Sequence, residues 1–229
     1  MKKLFYTRYP LSTKSLYHLL SQFYNKKSPT RAFHNFFLRN IFLKGKTIDL
    51  GSGNHSSYLN FIKSKKVIFY YADTKISNKK NFIKVNLEKK LTIKSSSFEN
   101  VLLFNVLEHI VNYKSLIEEI NRILKKGGKL EIYVPFMHRY HKDPEDIFRP
   151  THFYLKKILE DSGFHVKTYT IGTGPFSVFA EMINNYLKFF PIKFIVTFFF
   201  LLLDRIISLF SKDFDTFYNG VHCSCKKKK

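Results

Sequence analysis

Two aspartates and two glycines near residue 50 have the types and the spacing of a nucleoside-binding site. Gly51 and Gly53 follow a short apolar run, and Asp49 lies two residues before the first glycine. Asp73 comes twenty residues after Gly53, where an acid can accept hydrogen bonds from both hydroxyls of a ribose. A carboxylate at Asp49 would repel a pyrophosphate but would suit an ammonium group. The four residues predict a site for an adenosine derivative with an amino-acid tail and no phosphate, such as S-adenosylmethionine.

The same stretch argues against the common phosphate-binding loops. The P-loop string G-x-x-x-x-G-K-[ST] does not occur in the sequence. The dinucleotide fingerprint G-x-G-x-x-G is matched at its first two glycines, but Ser56 occupies the third position. Asp49 on the strand itself is the stronger argument against a pyrophosphate ligand.

Histidines and acids are concentrated between Met137 and Leu155, in the segment MHRYHKDPEDIFRPTHFYL. His141, followed by Asp143, is the first candidate for a general base with an orienting acid. His138 is the second candidate and His109 is the third. In the alternative interpretation these are solvated loop residues, with a structural ion pair between the acid at 146 and the arginine at 149.

The elements that must position these residues alternate along the chain. Helices are predicted within residues 1–46, where Thr30 is a candidate cap, from Tyr113 to Lys126, and from Thr151 to a stop at Gly163. This alternation predicts an α/β fold with a seven-stranded, mostly parallel sheet and helices on both faces. The predicted strands are TIDLG (47–51), KVIFYYAD (66–73), FIKVNL (82–87), NVLLFNV (100–106), KLEIYVPF (129–136), FHVKTYTI (164–171) and GVHCSCKK (220–227).

The length of 229 residues suits one domain better than two. Within it we expect a helical N-terminal extension (1–45), a cofactor-binding core (46–172), a hydrophobic helical insertion (173–217), and a last strand with a basic tail (218–229).

Five ordered segments resemble the class I S-adenosylmethionine-dependent methyltransferases, close to the group called methyltransferase type 11. The resemblance covers about residues 31–164 and resumes at the last strand. It implies a Rossmann-like fold, S-adenosyl-L-methionine as the cofactor, and no metal requirement. The segments are IDLGSGN (48–54), YYADTK (70–75), VNL (85–87), FENVLLFNVLEHI (98–110) and RILKKGGKLEIYVPF (122–136).

The resemblance also implies roles for individual residues. In the glycine loop, Gly51, Ser52 and Gly53 approach the methionine part, and Asp49 beneath them reaches the amino group. Asp73 takes the ribose. Asn86 and Leu87 lie at the adenine, and the family more often has an aspartate at the position of Asn86. Asn105 lies at the methionine portion. The alternative for Asn86 and Asn105 is that both are ordinary turn residues.

The segment from His141 to Phe164 resembles a variant of this family that is often encoded with bacterial surface-polysaccharide and glycolipid biosynthesis. The matching residues are PEDIFRPT (144–151) and SGF (162–164), and Pro150 departs from the pattern. Such proteins often carry a hydrophobic insertion before the last strand, as Pro175 to Phe217 would be here. An insertion of this kind suits a lipid-linked acceptor, while a helical cover on the sheet or a dimer contact remains the alternative.

The net charge of +22 allows either an anionic binding partner or an AT-rich codon bias. Residues 191–210 contain an apolar run that is too short to span a bilayer, so a buried or interfacial helix is expected. The two cysteines, Cys223 and Cys225, are interpreted as buried thiols of a cytoplasmic protein. The N-terminal residues have no apolar core of a signal peptide. We therefore expect a cytoplasmic protein that can lie peripherally on the inner membrane face.

Three functions are consistent with these features. The first is methylation of a hydroxyl of a glycan, a glycolipid or another small membrane-associated acceptor, and a quinone is a variant of it. The second is an RNA methyltransferase, although NVLEH (105–109) replaces the Asn/Asp-Pro-Pro-Tyr typical of enzymes that methylate exocyclic amines. The last is a non-catalytic module that binds a membrane or a partner.

Overall fold

The computed structural model describes residues 5–53, 56–75, 78–141, 145–211 and 216–228. Its elements, in chain order, are β1 (Phe5–Thr7), α1 (Thr13–Tyr24), α2 (Pro29–Phe37), β2 (Phe42–Leu50), β3 (Lys63–Asp73), β4 (Phe82–Lys84), β5 (Phe98–Phe104), α3 (Tyr113–Ile123), β6 (Leu124–Pro135), α4 (His152–Asp161), β7 (Phe164–Thr173), α5 (Pro175–Asn184), α6 (Phe190–Ile207) and β8 (Tyr218–Lys227).

The chain forms two compact units, here called the helical unit and the sheet unit. The helical unit consists of Met1–Arg39, Pro135–Tyr140 and Tyr169–Val221. The sheet unit consists of Asn40–Val134, His141–Thr168 and His222–Lys229. Asp143 of the predicted site lies outside the described residues.

The sheet unit contains all or part of seven strands in the order β7-β8-β6-β5-β2-β3-β4. The strand β2 lies between β3 and β5 and is parallel to both of them. The pairs β3–β4 and β5–β6 are also parallel. This order and direction confirm the predicted Rossmann-like sheet, whose ligands bind at the carboxyl ends of the strands.

Apolar patterning explains the central elements of the sheet unit. Residues 101–104 in β5 are all buried, as a strand covered on both faces requires. In α3, one face is buried through Leu116, Ile117, Ile120 and Ile123. The helix ends at Ile123 and not at Lys126, because Leu124 already has an extended backbone and begins β6.

The described part of the connection after the glycine loop is a short turn and not an α-helix. From residue 56 to the start of β3 at Lys63, the described residues form a 3₁₀ turn at Ser57–Phe61. The strand itself starts three residues earlier than predicted. The cofactor loop therefore leads into a short turn whose side chains point back to β2, as the contacts of Tyr58 show below.

The helical unit contains β1, α1, α2, α5 and α6, and β1 pairs in parallel with β7 through Phe5 and Tyr169. The predicted N-terminal helical extension is confirmed, with different boundaries. Ser28 and not Thr30 caps α2, because the Ser28 side chain accepts a hydrogen bond from the Arg31 backbone N–H. The predicted hydrophobic insertion forms α5 and α6. No helix in the described part of the chain combines the length and the apolarity that crossing a bilayer requires.

Candidate active site

A cavity of about 500 Å³ opens in the sheet unit, at the carboxyl ends of β2, β3 and β5. Its volume lies within the usual range for small-molecule and cofactor sites. Six residues predicted from the sequence line it, which are Gly51, Gly53, Asp73, Asn86, Leu87 and Asn105. The structure therefore brings together residues that are up to 54 positions apart in the chain.

The glycine loop requires glycine for two reasons at Gly51. Its φ of +71° lies in the left-handed region, and a Cβ there would lie 2.5 Å from Cγ2 of Val106. Gly53 also has a positive φ, of +48°, but a Cβ there would meet no atom closer than 4.0 Å. The first glycine thus permits close packing against Val106, and the second mainly permits the turn.

Asp73 connects the end of β3 to the glycine loop. Its Oδ2 accepts a hydrogen bond of 2.8 Å from the Gly53 backbone N–H. Its Oδ1 accepts hydrogen bonds from the Lys75 backbone N–H at 3.1 Å and from the Thr74 hydroxyl at 3.2 Å. A carboxylate has about four lone-pair positions, so Asp73 can still accept a hydrogen bond from a ligand in the cavity.

Asp49 is fully buried beneath the loop and does not line the cavity. Its Oδ2 accepts a hydrogen bond of 2.5 Å from the Tyr58 hydroxyl, while its buried Oδ1 has no hydrogen-bond partner among the described residues. Burial raises the pKa of the Asp49 carboxyl to about 7, although the Tyr58 hydrogen bond and the nearby Lys79 oppose this rise. A buried acid of this kind fits a cationic amino group above it. Ser52 is also buried and does not line the cavity.

Asn86 and Asn105 are turn residues and also line the cavity. The side-chain oxygen of Asn86 accepts a hydrogen bond of 2.9 Å from the Glu88 backbone N–H. Asn105 follows β5 with a φ of +54°, a conformation that asparagine adopts more readily than most residues. The two interpretations of these asparagines are therefore compatible.

Three residues at the site were missed in the sequence. Lys79 donates hydrogen bonds of 3.0 Å to the Gly53 carbonyl and the Ser56 hydroxyl, and these bonds stabilise the glycine loop. Glu88 lines the cavity, and its carboxylate accepts from the backbone N–H groups of residues 111 and 112. Tyr58 holds Asp49. Only Tyr58 has a sequence signal, an aromatic hydroxyl in the turn after the glycine loop, whereas Lys79 resembles the many other lysines.

A histidine cluster adjoins the cavity through His109, which also lines it. The Nε2 atoms of His109 and His141 are 3.2 Å apart. The acid beside His141 is Asp146, whose Oδ2 lies 3.1 Å from the histidine Nδ1. Arg149 donates from Nε to Asp146 at 2.8 Å and holds the pKa of that carboxyl below its usual range. The predicted ion pair is therefore present, and the same carboxylate also contacts His141.

His138 belongs to the helical unit. Its Nδ1 lies 3.1 Å from Oε1 of Glu181, a buried acid whose Oε2 accepts a hydrogen bond of 2.7 Å from the Thr30 backbone N–H. His138 thus has a structural partner of its own. A role of His138 as the general base, the second candidate from the sequence, stays a prediction.

The strand order, the glycine loop and the two acids at the strand ends define a Rossmann-like class I methyltransferase. The methyltransferase domain family matches residues 23–169, and the chain belongs to that family. It is an enzyme, and its cofactor is S-adenosyl-L-methionine. The orphaned oxygen of Asp49 and the glycine-walled cavity fit that cofactor.

Solved structures share the fold at low identity. The [4+2]-cyclase SpnF is 14% identical, with a TM-score of 0.57 over 97% of this chain and 99% of that chain. A chain from the complex of the Haloferax volcanii Trm112 methyltransferase activator and a putative methyltransferase is 14% identical, with a TM-score of 0.56 over 93% and 95%. Phosphoethanolamine N-methyltransferase 2 of Haemonchus contortus, solved with S-adenosyl-L-methionine, is 14% identical, with a TM-score of 0.52 over 95% and 57%. No curated protein matches the sequence.

Proposed function

We propose that this methyltransferase acts on a hydroxyl of a glycolipid or another lipid-linked glycan at an anionic membrane surface, on the cytoplasmic side. The observation that carries the proposal is the polarity of α5 and α6 in the helical unit, because both helices expose large apolar side chains and bury several polar ones.

The helix α6 exposes a continuous apolar stripe. Ile192, Ile195, Phe199, Leu202 and Ile206 are all exposed and recur at steps of three and four residues, which places them on one face. The buried residues of the same helix are Thr197, Leu201 and Asp204, two of which are polar. A helix in contact with water has the opposite arrangement.

The neighbouring helix α5 follows the same rule. It exposes the large apolar residues Phe179, Met182 and Ile183, while three of its five buried residues, Ser177, Glu181 and Asn184, are polar and the other two are Val178 and Ala180. Polar contacts join the two helices, because the Asn184 side chain donates to the Thr197 hydroxyl at 2.9 Å and Asp204 accepts from the Ser177 backbone N–H at 2.7 Å. These buried bonds hold the apolar residues of both helices outward, where an apolar phase would stabilise them.

The charge of the helical unit complements an anionic bilayer. Residues 1–39 contain no aspartate or glutamate. Among the described residues of this unit the only carboxylates are those of Glu181 and Asp204, and both are buried and hydrogen-bonded. Lys188 and Arg205 are exposed in the same segment as the apolar stripe. Basic residues near an anionic surface each contribute about 1 kcal/mol of attraction.

The sheet unit supports the chemistry. The cofactor supplies a methyl group already activated on a sulfonium, so the protein mainly aligns the acceptor. Asp49 and Asp73 bind the cofactor's amino group and ribose. His109 and His141, beside the cavity, bind the acceptor hydroxyl, and His141 is the candidate base that takes its proton. Asp146 orients His141 through the contact at Nδ1.

A vesicle-flotation experiment tests the membrane part. We expect the protein to float with phosphatidylglycerol-containing vesicles, to float less at high salt, and to sink with pure phosphatidylcholine. The triple variant Ile195→Gln, Phe199→Gln and Ile206→Gln should lose flotation. The matched control is Ile68→Gln, which changes an isoleucine that is 50% exposed in the sheet unit. Equal flotation of both variants would contradict the proposal.

The acceptor is tested with methyl-labelled cofactor and fractionated cell extract. Label in glycolipid is the expected result. A quinone would move the label to the neutral-lipid fraction, and strong labelling of bulk RNA would instead support the second candidate function, which the net charge of +22 favours. No label in any lipid fraction, together with intact cofactor binding, would contradict the proposed acceptor.

A further inference from the structure

We propose that Glu108, His109 and His141 bind a divalent transition-metal ion beside the cofactor cavity. The inference deepens the proposed function, because the ion would bind the hydroxyl oxygen of the acceptor. One ligand atom from each of the three residues lies within 4.8 Å of the others. No metal was predicted from the sequence, in which Glu108 and His109 lie 32 or more residues before His141.

The hydrogen-bond partner of His109 shows which of its two ring nitrogens carries the proton. Its Nδ1 lies 3.0 Å from the backbone carbonyl oxygen of Glu145. A carbonyl oxygen can only accept a hydrogen bond, so Nδ1 carries the proton. In the neutral ring, Nε2 therefore presents a lone pair.

The same argument applies to His141. Its Nδ1 lies 3.1 Å from Oδ2 of Asp146, which is kept in the carboxylate form by the Arg149 guanidinium. A carboxylate also only accepts, so Nδ1 of His141 carries the proton and Nε2 presents a lone pair. Two lone pairs thus face each other across 3.2 Å. Such an arrangement is repulsive unless the two nitrogens share a cation.

A metal ion fits this arrangement better than a shared proton does. Zinc–nitrogen bonds are about 2.0–2.1 Å long, so two histidine ligands on a tetrahedron lie about 3.3 Å apart. The observed separation is 3.2 Å. A proton would join only the two nitrogens, whereas a metal ion also takes Oε1 of the buried Glu108, which lies 3.8 Å from Nε2 of His109. Two histidines and one carboxylate form a common catalytic metal site.

The outer contacts have the pattern of metal-binding histidines. Such histidines usually donate their second ring N–H to a carbonyl or a carboxylate, which orients the ring. Glu145 and Asp146 provide one of each. His109 also lines the cofactor cavity, so a coordination position left by the three protein ligands is available to the acceptor. The bound ion lowers the pKa of the acceptor hydroxyl. Because Nε2 of His141 is then a metal ligand, His141 positions the ion and does not act as the base, and the proton of the hydroxyl leaves to solvent water.

Calorimetry with Zn²⁺ tests the site directly. The tag-free protein is stripped with a chelator, dialysed and titrated with Zn²⁺ alone. We expect one ion per chain for the wild type and no binding at this site for His109→Ala or His141→Ala. Asp146→Asn should bind about 10–100-fold more weakly, as is usual when an outer partner of a ligand is removed. The matched control is His165→Ala, an exposed histidine in β7, which should bind like the wild type.

Binding of S-adenosylmethionine is measured on the same samples to separate the two proposals. If the wild type binds the cofactor but binds no more Zn²⁺ than the double variant His109→Ala/His141→Ala, the metal site is wrong and the histidine pair shares a proton. If Zn²⁺ binds as expected but methyl transfer to lipid is absent, the metal site stands and the proposed acceptor is wrong. If a variant fails to fold, the proposal can still be tested, because the wild type must bind one Zn²⁺ ion per chain.

Discussion

Tyr58 donates a hydrogen bond of 2.5 Å from its hydroxyl to Oδ2 of Asp49 and so joins the turn after the glycine loop to the end of β2. Both residues are buried, and the other oxygen of Asp49 has no hydrogen-bond partner among the described residues. The cofactor loop is thus supported by a carboxyl group that is costly to ionise until a cation binds near it.

This burial predicts a pH dependence of stability. The pKa of Asp49 is about 7 in the folded chain, against an ordinary value of 3.8, and burial is the main cause. Between these values the unfolded chain has lost the proton while the folded chain keeps it. The free energy of unfolding contributed by the protonated Asp49 is therefore complete below the ordinary pKa of 3.8, and it is lost as the pH rises to about 7. In urea unfolding, the wild type should therefore lose stability relative to Asp49→Asn from about pH 4 to about pH 7. A constant difference between the two would contradict the buried carboxyl.

Removal of the Tyr58 hydroxyl should shift this range. The hydrogen bond from Tyr58 lowers the pKa of Asp49, so Tyr58→Phe should raise that pKa further and extend the loss of stability to higher pH. The same urea series measures it. Tyr70→Phe is a control in the neighbouring strand β3 and should leave the range unchanged. An unchanged range for Tyr58→Phe would argue against the hydrogen bond.

The packing of Gly51 predicts a selective effect of alanine. Gly51 and Gly127 have the same φ of +71°, but a Cβ would lie 2.5 Å from Val106 at the first and 3.7 Å from Lys226 at the second. Both substitutions cost about 1–2 kcal/mol from the left-handed backbone. Gly51→Ala should cost more and should also weaken cofactor binding, whereas Gly127→Ala should not. Thermal unfolding and calorimetry measure the two effects, and Val106→Ala should partly restore Gly51→Ala.

Lys79 is expected to organise the loop for the cofactor. Its ammonium group donates to the Gly53 carbonyl and the Ser56 hydroxyl, both at 3.0 Å. Lys79→Met should therefore weaken S-adenosylmethionine binding by about tenfold, the equivalent of one hydrogen bond to a charged group. Lys80→Met removes the neighbouring exposed lysine and is the control. Equal affinities of the two variants would show that the loop does not depend on Lys79.

Asp204 should stabilise the helix pair. Its carboxylate accepts from the backbone N–H groups of Phe176 at 2.9 Å and Ser177 at 2.7 Å, which are the first donors of α5. Loss of such a cap costs about 0.5–2 kcal/mol. Asp204→Ala should lower the unfolding temperature, and Arg205→Ala, at an exposed position on the same helix, should not. Equal unfolding temperatures for Asp204→Ala and Arg205→Ala would show that the Asp204 cap does not stabilise the helix pair.

The cofactor site was largely predictable from the sequence because its residues lie at strand ends. An apolar run followed by Gly51 marks the end of β2, and Asp73 marks the end of β3, so local spacing alone places both at one edge of a parallel sheet. Asn86 and Asn105 were identified through the resemblance to the methyltransferase family, and both line the same cavity.

The site residues and contacts that were not predicted lie in loops. In loops the side chains do not alternate with a regular spacing, so the sequence does not indicate which way they point. Lys79 reaches the glycine loop, and Glu88 reaches the cavity, both from irregular segments. In the histidine loop several acids follow His141 closely, and the sequence could not show that Asp146 contacts it. Ser28 and Thr30 are both good helix caps, and the choice of Ser28 reflects Pro29 at the first helical position.

The central claim is that the cavity bounded by the glycine loop and Asp73 binds S-adenosylmethionine. Isothermal titration calorimetry of the cofactor into the wild type, Asp73→Ala and the exposed control Asp161→Ala tests it most directly. The account predicts one cofactor per wild-type chain, unchanged binding by Asp161→Ala, and at least about tenfold weaker binding by Asp73→Ala, which lacks the carboxylate for the ribose. No binding by the folded wild type, or equal binding by Asp73→Ala, would contradict it.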